Sequence, residues 1–352
     1  MKFTKDNQGI KNTITIALIG MSLGFIYPVF ADGFGELLPF INGMSIGLIG
    51  GVLVALFELY AFNPGHRKLS FWLIVLLKTL LYFFMVTFLT VAIIGFNESV
   101  FLGIGFWEHV KGPRFQAFLY HGDFGIIVLY SLVFIGIIIF TREISRKMGP
   151  GMLFNIITGK YHHPREEEHI FMFLDIKSST QIAEKLGAIK FYNLLNDFYH
   201  DIAACIIASR GEIYRYVGDQ VVITWDLEKG LDNANCIRSY YYVKGKIDGL
   251  KEKYLRNYNF VPDFTASLHC GKVIRGEIGE IKSQIVFHGQ PLYITAEVEK
   301  QCRVLQKSIL VTADLIQRIS LPVIYEMKQV GQLKLDREMD LYTINEVSLE
   351  SI

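Results

Sequence analysis

The sequence predicts a membrane region of four transmembrane helices followed by an α/β domain of ferredoxin-like βαββαβ order. Three observations carry this prediction. Four long apolar stretches, 12–30, 41–61, 70–96 and 122–141, crowd the N-terminal part, each near the length that crosses a hydrocarbon core. The C-terminal part instead alternates strand-like runs with helical ones. The composition, 51% hydrophobic over 352 residues, is high for a chain without a membrane part. The expected divisions are a membrane domain over 1–141, a coupling segment over 142–168 and a soluble domain over 169–352.

The first stretch lacks a clear cleavage site and three similar ones follow it, so it is read as a span and not as a removable leader. Basic residues set the orientation. Lys2, Lys5 and Lys11 precede the first span, Arg67 and Lys68 join the second to the third, and Arg142, Arg146 and Lys147 follow the fourth. These sites are expected on the cytoplasmic side of the cell (inner) membrane, which places the N-terminus and the C-terminal domain there. Asp32, Glu36 and a mixed-charge loop over 97–121 fall on the other side, and the loop is either a ligand sensor or a plain interfacial connection. Glu58 and Lys78 lie inside spans at comparable depths and can pair. An intramembrane charge is functional by default, whereas a structural ion pair or snorkelling accounts for these two as well.

The segment REISRKMGPGMLFNIITGKYHHPREEE follows the last span, with basic residues, a Gly-Pro-Gly break, an amphipathic stretch and an acidic run. A strand HIFMFLD (169–175) comes next, then a helix from about Ser178 to Ser209 with an apolar face at Phe191, Leu195, Phe198, Ile202 and Ile206. EIYRYVGDQVVITW is a hairpin, two β-rich runs around Gly-Asp. A helix over about 232–257, a strand FTASLHCGKVIRGEIG, the run IVFHG, a helix beginning at Pro291, a strand SILV and terminal strands around 322–345 complete the order.

In that order the C-terminal end of the first strand lies beside the tip of the central hairpin. Asp175 ends the strand and Asp219 sits at the tip, so the two carboxylates converge. Either alone is explained as a helix cap or a turn former. Together they suit Mg²⁺ or Mn²⁺, which take a few carboxylate oxygens and complete their shell with water and phosphate. After Asp175, the stretch containing Ser178, Ser179 and Thr180 opens a helix, whose free N–H groups suit phosphate oxygens. Nucleotide chemistry is the expected function class. A net charge of +1 and the lack of a basic stripe with interleaved aromatics exclude nucleic acid as an expected partner. Cys205, Cys236, Cys270 and Cys302 are widely spaced, as in a reduced domain, and His162-His163 has no second ligand pair nearby.

At these residues the chain resembles the class III nucleotidyl cyclases. FLDIKSST and YRYVGDQVVITW resemble the two metal-aspartate motifs, and LHCGKVIRGEIG with IVFHG resembles the segment leading to the catalytic helix. Four spans joined to one such domain also resemble membrane-bound bacterial members. The resemblance implies a dimer whose sites form across the interface, with Asp175, Ile176 and Asp219 holding two metal ions. A nucleoside triphosphate is then the expected ligand, converted to the 3′,5′-cyclic nucleotide and pyrophosphate. The partner helix of that family supplies an asparagine and an arginine, four and eight residues after the glycine corresponding to Gly289. Here those positions are Tyr293 and Glu297. Lys300 is a candidate stand-in for the arginine, and Lys334 in QLKLDREMDLY for the family's phosphate-binding lysine.

Base-selecting positions correspond to Arg215 and Val286, of which Arg215 resembles the adenine pattern more than the guanine one. A diguanylate cyclase reading would need a Gly-Gly-Asp/Glu-Glu-Phe turn where this hairpin has VGDQV. Three expectations follow: a homodimeric cyclase that tolerates Tyr293 and Glu297, a half-site completed by an intact cyclase subunit in a heterodimer, and an inactive membrane signalling subunit.

Overall fold

The computed structural model describes residues 2–31, 37–60, 70–122, 124–149, 152–335 and 341–349. Two compact units divide the chain, Met1–Met148 and Gly149–Ile352.

The first unit comprises helices α1 (Lys2–Ala31), α2 (Leu37–Tyr60), α3 (Phe71–Leu102), α4 (Phe106–Lys111), α5 (Pro113–His121) and α6 (Phe124–Met148). Four of these contain segments long and apolar enough to cross a membrane, Thr13–Phe30, Leu37–Glu58, Phe71–Leu102 and Phe124–Ser145. Asp32, Glu36, Arg67 and Lys68, used above for orientation, lie outside the described residues. The stretch 97–121 is not a loop. Helix α3 continues to Leu102, and α4 and α5 start after Gly105 and Gly112, with Pro113 preset for the first turn of α5. His109 in α4 is buried and its Nε2 lies 3.0 Å from Glu98 Oε2.

Helices α1 and α2 touch backbone to backbone. A Cβ built on Gly24 would fall on the Gly43 carbonyl oxygen, and Gly20 meets Gly47 in the same way. Small residues allow this approach, which is how apolar helices gain packing where lipid gives no hydrophobic drive. Gly24→Ile is expected to push the helices apart and destabilise the unit by about 1–3 kcal/mol. Thermal unfolding of the full chain in detergent checks this, with Gly125→Ile, where a Cβ meets nothing, as the neutral comparison.

The intramembrane charges do pair, and with a third member. Lys78 Nζ donates to Glu58 Oε1 and Oε2 at 2.8 and 3.0 Å and to Glu143 Oε1 at 2.9 Å, while the Tyr82 hydroxyl donates to Glu58 at 2.9 Å. Lys78 is thereby satisfied at 3% exposure, as burial of a charge in a low-dielectric bundle requires.

The second unit runs α7 (Met152–Ile157), β1 (Arg165–Ile176), α8 (Ser179–Leu186), α9 (Ala188–Ala208), β2 (Glu212–Val217), β3 (Gln220–Asp226), α10 (Leu227–Leu231), α11 (Asn235–Asp248), α12 (Lys251–Tyr258) and β4 (Phe264–Ile278). It continues with β5 (Gln284–His288), α13 (Gln290–Val304), β6 (Ile309–Thr312), α14 (Ala313–Ile316), β7 (Tyr325–Lys334) and β8 (Leu341–Leu349). The sheet order is β2-β3-β1-β4-β6-β8-β7, with β5 paired to β4. Its first four strands are the ferredoxin-like core, with β1 antiparallel to β3 and to β4.

Three boundaries differ from the sequence expectation. Strand β1 starts at Arg165, so the acidic run joins the sheet, where Lys272 holds Glu166 at 2.8 Å and Arg318 holds Glu168 at 2.6 Å. The helix expected over 178–209 breaks at Gly187, whose N–H closes the last turn of α8 on Ala183. The helix expected over 232–257 is α11 and α12, divided at Gly249-Leu250. Both breaks fall at a glycine flanked on each side by helical apolar patterns, so a reading by periodicity runs across them.

Side chains of β1 alternate between two covered faces. Ile170, Met172, Leu174 and Ile176 enter the main core with Phe198 and Ile202 of α9 and Tyr240 of α11. Phe171 and Phe173 face the other way, onto Val222, Val273 and Phe287, with Leu292 and Ala296 of α13 packed against them. By strand alternation Asp175 belongs to this second face, the one α13 covers.

Candidate active site

Asp175 is the last core-facing residue but one of β1 and sits opposite Gln220 of β3 and Thr265 of β4. Gln220 immediately follows Asp219, and Val217 pairs with Gln220, so Gly218-Asp219 is a two-residue hairpin loop. Gly218 has φ +62°, the left-handed first position that the turn demands and that glycine adopts without strain. Tyr199 of α9 anchors the tip, its hydroxyl donating to the Gly218 carbonyl at 2.9 Å with its ring 4.4 Å from that of Tyr216. The two aspartates expected to converge therefore do.

Helix α13 adds two groups that sequence reasoning missed. Arg303 Nη2 donates to Asp175 Oδ2 at 2.6 Å, and Arg303 Nε lies 3.4 Å from Glu299 Oε1. Glu299 is 7% exposed and its Oε1 has no hydrogen-bond partner. Burial, then the Asp219 charge and the Glu299 charge, push the Asp175 carboxyl well above the usual carboxylate range, and the Arg303 contact only partly opposes them. The alternation of Phe171, Phe173 and Asp175 was the available signal, because it places Asp175 on the face that any helix covering those phenylalanines must share.

This electrostatic state tests the site for a divalent cation. Three carboxylates crowd one another, the buried Glu299 Oε1 makes no hydrogen bond, and the guanidinium that contacts Asp175 among the described residues, that of Arg303, is 69% exposed. A hard cation with oxygen ligands fits such a donor set, so Asp175 and Asp219 suit Mg²⁺ or Mn²⁺. Among the described residues no group of three or more His, Cys, Asp and Glu stands in metal-holding arrangement, so the candidate is a two-carboxylate site.

Ser178 adopts the left-handed conformation (φ 55°) that turns the chain from β1 into α8, and its side chain makes no cap bond. Asp175 is thus not the cap of that helix. Lys177 locks the corner, its N–H on the Asp263 carbonyl at 2.9 Å and its Nζ on Asp263 Oδ2 and Ser308 Oγ at 2.8 and 3.1 Å. Ser178 and Thr180 are exposed and Ser179 half-buried, beside the Asp175 end of β1.

A bulge in β2 between Ile213 and Arg215 sets Tyr214 out of register. Tyr214 turns to Phe287 of β5, ring to ring at 5.0 Å, and its hydroxyl accepts the Phe287 N–H at 3.0 Å. Arg215 lies over the Tyr214 ring at 4.3 Å and donates to its hydroxyl, while Val286 is half-buried on β5. On α13, Ile294, Val298 and Cys302 face the core, whereas Tyr293 is 46% exposed. Glu297 accepts from Lys300 at 2.5 Å, so the lysine considered as a stand-in for an arginine is held by the residue at the arginine's own position. Lys334 ends β7 and is exposed, and residues 336–340 of the motif that contains it lie outside the described residues. All four cysteines are free and buried, and His162 contacts Glu277 at 3.5 Å.

Residues 161–346 match the adenylate and guanylate cyclase catalytic domain family. The chain is 32% identical over 206 residues to adenylate cyclase 2 of Rhizobium meliloti (strain 1021), covering 58% of this chain and 57% of that protein. It is 21% identical over 177 residues to an adenylate cyclase of Anabaena cylindrica, covering 46% of this chain and 32% of that one. The chain therefore spans about half or less of the length of these curated relatives. A bacterial light-regulated adenylyl cyclase shares the fold at TM-score 0.53 and 20% identity, over 64% of each chain.

Proposed function

The chain belongs to the adenylate and guanylate cyclase catalytic domain family, and from that premise we propose that it converts a nucleoside triphosphate to the 3′,5′-cyclic nucleotide. The convergence of Asp175 and Asp219 at the end of β1 carries this reading. The ribose 3′ oxygen forms a bond to the α-phosphorus as the bond to the departing pyrophosphate breaks, and the 3′ proton passes to solvent or product. A divalent cation at this site supplies the positive charge that activates the hydroxyl and neutralises the triphosphate. Asp175 and Asp219 hold it, with Ile176 as a further ligand position, and the start of α8 at Ser178, Ser179 and Thr180 receives phosphate oxygens. ATP is favoured over GTP, on Arg215 and on the names of the curated relatives.

Tyr293 and Glu297 favour a second reading within the same chemistry, in which another subunit brings the asparagine and arginine to this chain's aspartates. The membrane unit is placed in the cell membrane with both termini cytoplasmic, on the distribution of Lys and Arg around its apolar helices. A reporter fused after Ile352 that becomes active outside the cell sinks that orientation.

The test is cyclic AMP and cyclic GMP formation by the full chain in membranes with Mn²⁺ and ATP or GTP. Product from the chain alone, mainly from ATP, supports a homodimeric cyclase. Product only after addition of a subunit carrying the two donors supports the half-site. Silence in both overturns the catalytic proposal and leaves an inactive signalling subunit.

A further inference from the structure

We infer that Arg303 is this chain's own nucleotide-binding cation, neutralising Asp175 and Glu299 while no metal is bound and turning to the triphosphate when a divalent cation takes Asp175. The inference rests on the metal site proposed above. With Glu297 where an arginine is expected, a triphosphate at Asp175 needs another cation of this chain to meet it.

The neighbouring cations are engaged elsewhere. Lys300 is held by Glu297 at 2.5 Å, Lys177 by Asp263 and Ser308, and Arg215 lies on Tyr214. Arg303 alone among these takes a metal-site carboxylate as its partner, at 2.6 Å. A cation that displaces it from Asp175 leaves the guanidinium without that contact yet still beside Glu299, whose Oε1 lies 3.4 Å from Nε. The side chain is 69% exposed, so it can swing without repacking the core. Its planar fork of donors suits phosphate oxygens in a way that a lysine does not match. Glu299 anchors the exchange. At 7% exposure, with its Oε1 making no hydrogen bond and only the 3.4 Å ion pair to Arg303 Nε, it keeps Arg303 at the site after Asp175 is taken.

The exchange makes Arg303 a competitor of the metal and a partner of the nucleotide, so one substitution moves the two affinities in opposite directions. The experiment uses the full chain in detergent. Mn²⁺ alone is titrated by electron paramagnetic resonance, and 3′-deoxy-ATP, which lacks the attacking hydroxyl, is titrated at saturating Mn²⁺. Arg303→Ala is expected to bind Mn²⁺ about fivefold tighter and 3′-deoxy-ATP about tenfold more weakly, the scale of one lost charge-assisted contact. Arg303→Lys, which keeps the charge, is expected to restore most of both. If the two affinities move together in Arg303→Ala, or either stays fixed, the inference is overturned while the metal site stands. If wild-type Mn²⁺ binding is absent or survives Asp219→Asn, the metal site falls and this inference with it.

Discussion

Asp219→Asn is expected to abolish Mn²⁺-dependent nucleotide binding, to lower cyclic nucleotide formation by about 10³-fold or more, and to raise the melting temperature of the metal-free chain. The two signs have one cause. In the absence of a cation, burial and then the Asp219 charge hold Asp175 above its ordinary range, so the hairpin tip sits against the fold's own stability. Removing that charge relaxes the site and removes half of its ligand set. Loss of function with a higher melting temperature cannot come from misfolding, which separates the expected result from a merely structural role. A variant that melts lower and still binds Mn²⁺ counts against the site.

The raised Asp175 also fixes the direction of the pH response. Its folded form holds a proton at pH values where the unfolded form has lost it. The metal-free chain therefore gains stability from Asp175 as pH falls from neutral towards the ordinary carboxylate range, and loses it as pH rises through the raised value. Cation binding needs the carboxylate, so Mn²⁺ affinity should fall over the same acid window. Melting curves and Mn²⁺ titrations across that window check both slopes, and Asp175→Asn should flatten them.

Much of this site was legible in the sequence because its anchors are local. Gly-Asp between two β-rich runs specifies a two-residue turn, and an apolar run ending in aspartate specifies where the strand leaves the core. Their meeting follows from the βαββαβ order alone. Glu299 and Arg303 were not legible in the same way, because they meet Asp175 only if α13 covers the face shared by Phe171 and Phe173. Tyr199 was hidden for a related reason, since its role depends on where a half-buried edge of α9 passes the hairpin tip. The short helices over 97–121 were missed because glycine boundaries and mixed charge look alike in a loop and in six- to nine-residue helices.

The double substitution Tyr293→Asn with Glu297→Arg is expected to raise turnover by about 10²–10³-fold, the scale of the donor groups that these positions lack. The two residues lie one turn apart on α13, off the Ile294, Val298 and Cys302 face that enters the core; Tyr293 is exposed and Glu297 half-buried, so a melting curve of the double variant accompanies the assay. It also frees Lys300 from Glu297 and replaces a negative charge with a positive one on a surface that would face a triphosphate across a dimer. The arrangement in trans can be tested by mixing. A chain carrying both substitutions together with Asp219→Asn has donors and no metal site, and the unmodified chain has a metal site and no donors. If α13 of one chain completes the site of another, the mixture should exceed the activity of either chain alone. Activity in the doubly substituted chain with no gain on mixing would place the donors in cis instead, beside the Asp175 that Arg303 already reaches.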